Sequence, residues 1–175
     1  SIPGEAIEVA DLQHYLIEGG TDALLGKAAP EVPLEMLSGE TWKLASHQGS
    51  HVVVLFFFAS WAAPSTNDMP EILHFIEEYE SKGVKFYAVN VGEDPAVVKD
   101  FVNKQNFTRP VILDPQRQAT SAYRITSLPV TVMIDQQGTL RSVHVGTSTE
   151  ERASIRADLR RLVESDDATT QADQE

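Results

Sequence analysis

The sequence predicts one mixed α/β domain: a central mixed sheet flanked by helices, with a β-hairpin added at its N-terminal end. Three observations predict it. Residues 51–59 (His-Val-Val-Val-Leu-Phe-Phe-Phe-Ala) form a continuous apolar run without alternation. That run is far short of the ~20 residues a membrane helix needs, so it reads as a strand buried on both faces. Strand and helix patterns then alternate along the chain, which builds a parallel core covered by helices. Finally, Asp135-Gln-Gln-Gly138 separates two short apolar strands as a hairpin turn and adds antiparallel pairing.

In chain order, residues 7–18 show loose helical spacing (Ile7, Leu12, Tyr15, Leu16) that Gly19-Gly20 stops. This predicts a short acidic helix within an N-terminal extension, residues 1–26. Gly26-Lys-Ala-Ala-Pro30 opens the domain proper, residues 27–163. Val32, Leu34 and Met36 alternate with polar residues, and Ser38-Gly39-Glu40 turns the chain into Trp42-Lys43-Leu44, a hairpin. After the 51–59 strand and a turn at Ser60–Ser65, Met69, Ile72, Leu73, Ile76 and Tyr79 follow helical spacing up to Gly83. Val84–Val91 is the next strand. Asp94-Pro95 starts a helix with proline in its first turn, with Val97, Val98, Phe101 and Val102 expected inward. A short strand (Val111–Leu113), a short helix (Pro115–Tyr123), a hairpin (Val130–Ile134, Leu140–Val145) and an amphipathic helix (Glu150–Val163) complete the domain. The polar, acidic residues 164–175 predict a disordered tail.

The 175 residues carry a net charge of −12. The excess acid sits at the ends: Glu5, Glu8, Asp11, Glu18 and Asp22 at one, Glu164, Asp166, Asp167, Asp173 and Glu175 at the other. The centre is nearly neutral. Without a basic face to displace counterions, nucleic acid is excluded as a partner, and contact with an anionic membrane is disfavoured. Ser1-Ile-Pro-Gly4 lacks the basic and apolar regions of a signal peptide, so either the protein is cytosolic or a leader has been removed. There is no cysteine. Ordinarily that removes disulfides, thiol catalysis and thiolate metal sites together.

Specific residues carry a resemblance. Phe57-Phe-Ala-Ser-Trp61 followed by Ala62-Ala63-Pro64-Ser65 resembles the strand-to-helix turn of the thioredoxin superfamily, where the family has Trp-Cys-x-Pro-Cys. Ser127-Leu128-Pro129-Val130-Thr131 resembles its cis-proline loop. Gly26–Pro30, Ser38–Trp42, Asp68-Met69-Pro70, Val89–Glu93, Val111–Asp114 and Met133–Gly138 are similar to the TlpA- and ResA-like branch. These markers run in order over about residues 26–163. The resemblance implies a thioredoxin-like fold and an extracytoplasmic bacterial thiol-disulfide oxidoreductase that reduces protein disulfides, without cofactor or metal, as a monomer.

The departure lies at the chemistry. Ala62 and Ser65 stand where the family has its cysteines. A thiolate at a helix N-terminus is stabilised by the dipole and free N–H groups; it attacks a disulfide, and a second thiol releases the product. Alanine has no nucleophile and a serine hydroxyl does not replace a thiolate, so the chain as it stands is expected to be redox-inactive. Replacement of both cysteines fits, and the small, near-isosteric substitutes favour it; so does a natural member that keeps only a polypeptide-binding groove.

By the resemblance, Asp68 lies beside the lost pair and tunes its proton transfers; an acid at a helix N-terminus is also ordinary. Leu128 offers its backbone to an extended substrate strand and Pro129 shapes that loop. Trp61 shields the turn, although packing alone would account for it, and Pro64 belongs to the same turn. His14, His47, His51, His74 and His144 are scattered. His47 and His51 are four apart, but Gly49 between them argues against a helix, so solvent-exposed histidines are expected rather than a metal pair.

Overall fold

The computed structural model describes residues 19–62 and 68–172. A two-stranded antiparallel ribbon pairs β1 (Leu34–Glu35) with β2 (Thr41–Trp42). The main sheet contains β3 (Val52–Phe58), β4 (Val84–Val91), β5 (Val111–Asp114), β6 (Val130–Ile134) and β7 (Leu140–Val145) in the order β5-β4-β3-β6-β7. β3 runs parallel to β4, and β4 to β5; β6 is antiparallel to both β3 and β7. The helices are α1 (Met69–Glu80), α2 (Pro95–Lys104), α3 (Gln118–Ala122) and α4 (Thr149–Ala172).

β3 explains the layering. All of its residues are buried, and successive side chains enter different cores because strand side chains alternate between faces. Val52, Val54, Phe56 and Phe58 pack with Phe75 and Ile76 of α1 and with Ile155 and Leu159 of α4. Val53, Leu55 and Phe57 pack with Trp42, Leu44, Tyr123 and Leu140 on the opposite face. A strand serving two cores has no polar side to show, hence the uninterrupted apolar run. Part of each sheet edge is paired with a neighbouring segment, which shields some of its strand groups from solvent. Gly26 and Ala29 donate to the carbonyls of Leu140 and Gly138 beside β7, and Leu37 donates to Val111 on β5.

Several expectations need correction. The boundary expected at residue 26 falls within packed structure: Thr21 and Leu24 are buried, and the Thr21 hydroxyl donates to Tyr123 O at 2.8 Å. The helix expected over 7–18 lies outside the described residues. Val97, expected inward, is 47% exposed; Val98 is buried as expected, and Phe101 and Val102 are half-buried. The short helix after β5 spans only Gln118–Ala122, because Asp114 accepts from the Ala119 and Thr120 amides and Arg117 adopts φ +58°. α4 continues to Ala172 instead of giving way to a disordered tail at 164. No glycine or proline interrupts 149–172, so nothing local breaks the helix where its apolar stripe ends.

The histidines also differ from expectation. His144 is 5% exposed and lies between Glu151 (Nδ1 to Oε2, 3.0 Å) and Asp158 (Nε2 to Oδ2, 2.8 Å), joining β7 to α4. His47 and His51 are half-buried and face each other, because Leu44–His47 is a 3₁₀ turn and Gly49, at φ +82°, folds the chain back toward β3. Burial is the main cause that lowers the pKa of each from its ordinary 6.5; His51 and Lys85 add to it for His47, and Lys85 for His51. The folded state therefore favours the neutral rings. Their contribution to stability is present above about pH 6.5 and is lost as pH falls below it, where the unfolded chain binds the extra protons. The thermal midpoint is expected to fall between pH 7 and 5.5, and His47→Gln with His51→Gln to flatten that slope. An unchanged slope would show that the pair does not contribute.

Candidate functional site

The site lies at the C-terminal end of β3. Phe58 pairs with Asn90 of the parallel neighbour β4, so the ends of both strands open at the same edge. There the Glu93 carboxylate accepts from the Ser60 amide (2.7 Å) and from the Ser60 hydroxyl (2.5 Å). Asn90 Nδ2 donates to the same carboxylate at 2.9 Å. Glu93 thus ties the last residues of β3 to β4 immediately before Trp61. Glu93 belongs to the Val89–Glu93 segment that carries part of the family resemblance, and its tie to Ser60 is a contact the resemblance does not name. Its signal is an acid just past the end of a strand that runs parallel to the chemistry-bearing one.

Trp61 is 43% exposed and lines a cleft of about 100 Å³ with Arg117, Thr126, Ser127 and Leu128. Arg117 lies against Gly92, where an added Cβ would stand 2.6 Å from its Nε; Gly92 itself has φ +68°. The close approach leaves room for the guanidinium beside the cleft. Leu128 is half-buried and Pro129 buried, and the bond between them is cis. The loop is held at its base: Pro129 O accepts from Gly146 N at 2.8 Å, and Val130 pairs with Phe57 of β3. One sheet therefore positions Trp61 and the 126–129 loop together.

Ala62 is buried, with 7% of its surface open, and its amide donates to Ala59 O at 3.2 Å. Pro64 and Ser65 lie outside the described residues. Asp68 immediately precedes α1, and its Oδ2 accepts from the Thr147 hydroxyl at 2.5 Å. Arg152 of α4 stands 3.7 Å from its other oxygen and 2.6 Å from Glu71. Asp68 is thus fixed by the loop after β7 and by α4, partners distant in sequence. No group of three or more His, Asp or Glu suited to a metal occurs among the described residues.

Comparison with known proteins places this architecture. A family model described as the AhpC/TSA family matches residues 25–143. This chain belongs to the AhpC/TSA family of thioredoxin-like proteins. Among curated relatives of this AhpC/TSA chain, the thiol-disulfide oxidoreductase ResA of Geobacillus kaustophilus (strain HTA426) is 34% identical over 131 residues, 75% of each chain. The ResA of Bacillus subtilis (strain 168) is 34% identical over 125 residues, 71% of this chain and 69% of the relative. A crystal structure described as a putative thiol:disulfide interchange protein DsbE from Chlorobium tepidum superposes with a TM-score of 0.73 at 27% identity, covering 79% of this chain and 97% of that one. The resemblance to the ResA-like branch and the thioredoxin-like fold both stand. Against that background, this AhpC/TSA member has no cysteine.

Proposed function

We propose that this chain carries the substrate groove of an extracytoplasmic thiol-disulfide oxidoreductase that reduces protein disulfides, and that Ala62 and Ser65 leave it unable to exchange disulfides itself. The observation that carries the reading is the cleft that Trp61 shares with the Thr126–Leu128 loop. That cleft joins the turn where a nucleophile would stand to a loop suited to an extended polypeptide. An incoming strand pairs with the backbone at Leu128 and packs on Pro129 and Trp61. The proposed exchange itself needs neither metal nor cofactor, and the protein acts as a monomer.

With thiols at 62 and 65, the first thiolate attacks one sulfur of a substrate disulfide. That bond breaks, the other substrate sulfur leaves as a thiolate, and a mixed disulfide joins protein to substrate. The second thiol then attacks the protein-side sulfur and releases the reduced substrate, leaving an intramolecular disulfide. Two electrons pass to the substrate. Asp68 acts through its charge: a carboxylate beside the turn disfavours the thiolate and raises the thiol pKa. The absence of any cysteine favours a second reading, in which the chain is a naturally redox-inactive module that binds a polypeptide in the same groove.

Trapping tests the first reading. Ala62→Cys alone is expected to form a mixed disulfide with a protein disulfide substrate and to accumulate it, since Ser65 cannot resolve it. Adding Asp68→Asn should lower the thiol pKa and speed adduct formation at neutral pH. The measurement is adduct mass against time, with exposed Ser81→Cys as the control thiol. Equal adduct rates for the two thiols would overturn the oxidoreductase reading and leave the binding module.

A further inference from the structure

At the other end of β3, opposite the groove, two imidazoles meet in a geometry the proposed redox chemistry does not use. His47 Nδ1 lies 3.1 Å from His51 Nδ1. His47 Nε2 lies 2.8 Å from the Tyr87 hydroxyl. The rings of His47 and His51 are 5.2 Å apart at 66°, and Tyr87 is itself held edge-on to Trp42 at 5.5 Å. β3 places this cluster about 20 Å from Trp61, taking seven strand residues at ~3.3 Å each.

We propose that His47 and His51 form a two-histidine chelate for a divalent late transition-metal ion, of the Zn²⁺ or Cu²⁺ type. The spacing carries the inference. Two nitrogens 3.1 Å apart, each at the ~2.0–2.1 Å of a metal–imidazole bond, subtend about 100° at the ion, between the square and tetrahedral angles. The spacing therefore matches a two-nitrogen site once each ring turns so that its Nδ1 lone pair points at the ion instead of at the other ring. Ligation through Nδ1 requires the proton of each ring on Nε2, and His47 Nε2–H then donates to the Tyr87 hydroxyl. Such an outer hydrogen bond fixes tautomer and ring orientation at metal-bound histidines. In the metal-free chain one Nδ1–H donates to the other ring's Nδ1. Binding replaces that hydrogen bond, with the displaced proton moving to Nε2 of the same ring through solvent, so no net proton is released.

The surroundings set the charge and the open positions. The pair lines a cavity of about 160 Å³ with Glu31, Gln48 and Asp135. Glu31 accepts from the Leu44 and Ala45 amides, and Asp135 from the Gln137 and Thr139 amides and from Arg141. These carboxylates are committed to backbone amides and, for Asp135, to Arg141; they supply negative charge near the ion without ligating it, and offset the nearby Lys85 cation. The remaining coordination positions face the cavity and take water or an incoming donor.

The test uses the chain as it is, titrated with CuCl₂ or ZnCl₂. Cu²⁺ is expected to bind one to one, with an electron paramagnetic resonance spectrum split by two equivalent-type nitrogens. Zn²⁺, measured by competition with a chromogenic chelator, is expected to protect His47 and His51, but not exposed His74, from diethyl pyrocarbonate. His51→Gln should abolish the two-nitrogen spectrum. Tyr87→Phe should weaken Zn²⁺ binding about tenfold or more through loss of the outer hydrogen bond. His74→Gln should change neither. The proposal is overturned if His51→Gln keeps both spectrum and affinity, or if Zn²⁺ leaves His47 and His51 unprotected in the unmodified chain. Neither outcome bears on the groove, because no variant here touches residues 61–68 or 126–129.

Discussion

Ala62→Cys together with Ser65→Cys is expected to turn this chain from inert to a reductant of protein disulfides. Two opposing influences meet at residue 62. Its side-chain position is largely covered, and burial raises a thiol pKa. In the family the sequence resembles, peptide N–H groups and a helix N-terminus at this turn stabilise an anion and lower it. A pKa below the ordinary ~8.5 of a free cysteine would show that the second influence prevails. The measurement is thiolate absorbance against pH, followed by the rate of insulin reduction. A rate no faster than that of a free dithiol would remove the oxidoreductase reading. Binding of an unfolded polypeptide by the unaltered chain, competed by substitution of Trp61, would then support the module in its place.

Phe57→Ala is expected to have the largest effect on stability. Phe57 is fully buried in β3, its ring stands 5.6 Å from Tyr123, and it pairs with Val130 beside Pro129. Truncating a buried phenylalanine costs about 3–5 kcal/mol, transfer free energy plus the cavity left behind. Against a total stability of about 5–15 kcal/mol that is a severe loss. At roughly 2–4 °C per kcal/mol for a domain of this size, the thermal midpoint should drop by about 6–20 °C. Urea denaturation gives the free energy directly. A loss under about 1 kcal/mol would mean that Tyr123 and Ile125 close over the space, and that this core is looser than its burial implies. Because Phe57 supports both the turn that carries Trp61 and the base of the 126–129 loop, the same substitution should also weaken polypeptide binding in the groove.

Elements whose burial follows a simple local period were legible from the residues alone. β3 shows as an unbroken apolar run, α1 as Met69, Ile72, Ile76 and Tyr79 at helical spacing, and the β6–β7 hairpin as apolar strands around Gly138. Those patterns determine the mixed α/β architecture, because each names the face it must bury. The Leu128–Pro129 loop was legible as well, its bond cis as the resemblance implies, and the sequence itself shows that no cysteine pair is present. Val97 and the course of α4 beyond Val163 were not. The first depends on how α2 is rolled against the sheet; in the second, a polar, acidic composition reads as disorder although no residue there stops a helix.

What only the tertiary structure decided are contacts between residues far apart in the chain. Glu93 holds Ser60 because β3 and β4 run parallel and end at one edge. Asp68 meets Thr147 and Arg152 because α1 and the loop after β7 converge there. His144 is buried between Glu151 and Asp158, on the face β7 turns to α4, where periodicity alone favours an apolar residue. His47 and His51 became a facing pair through a 3₁₀ turn and a positive-φ glycine, a route that helical spacing does not describe. The physical reason is common to all four. Apolar burial is non-directional and leaves a periodic trace in sequence, whereas a polar contact depends on the direction and distance of two side chains brought together by the whole fold.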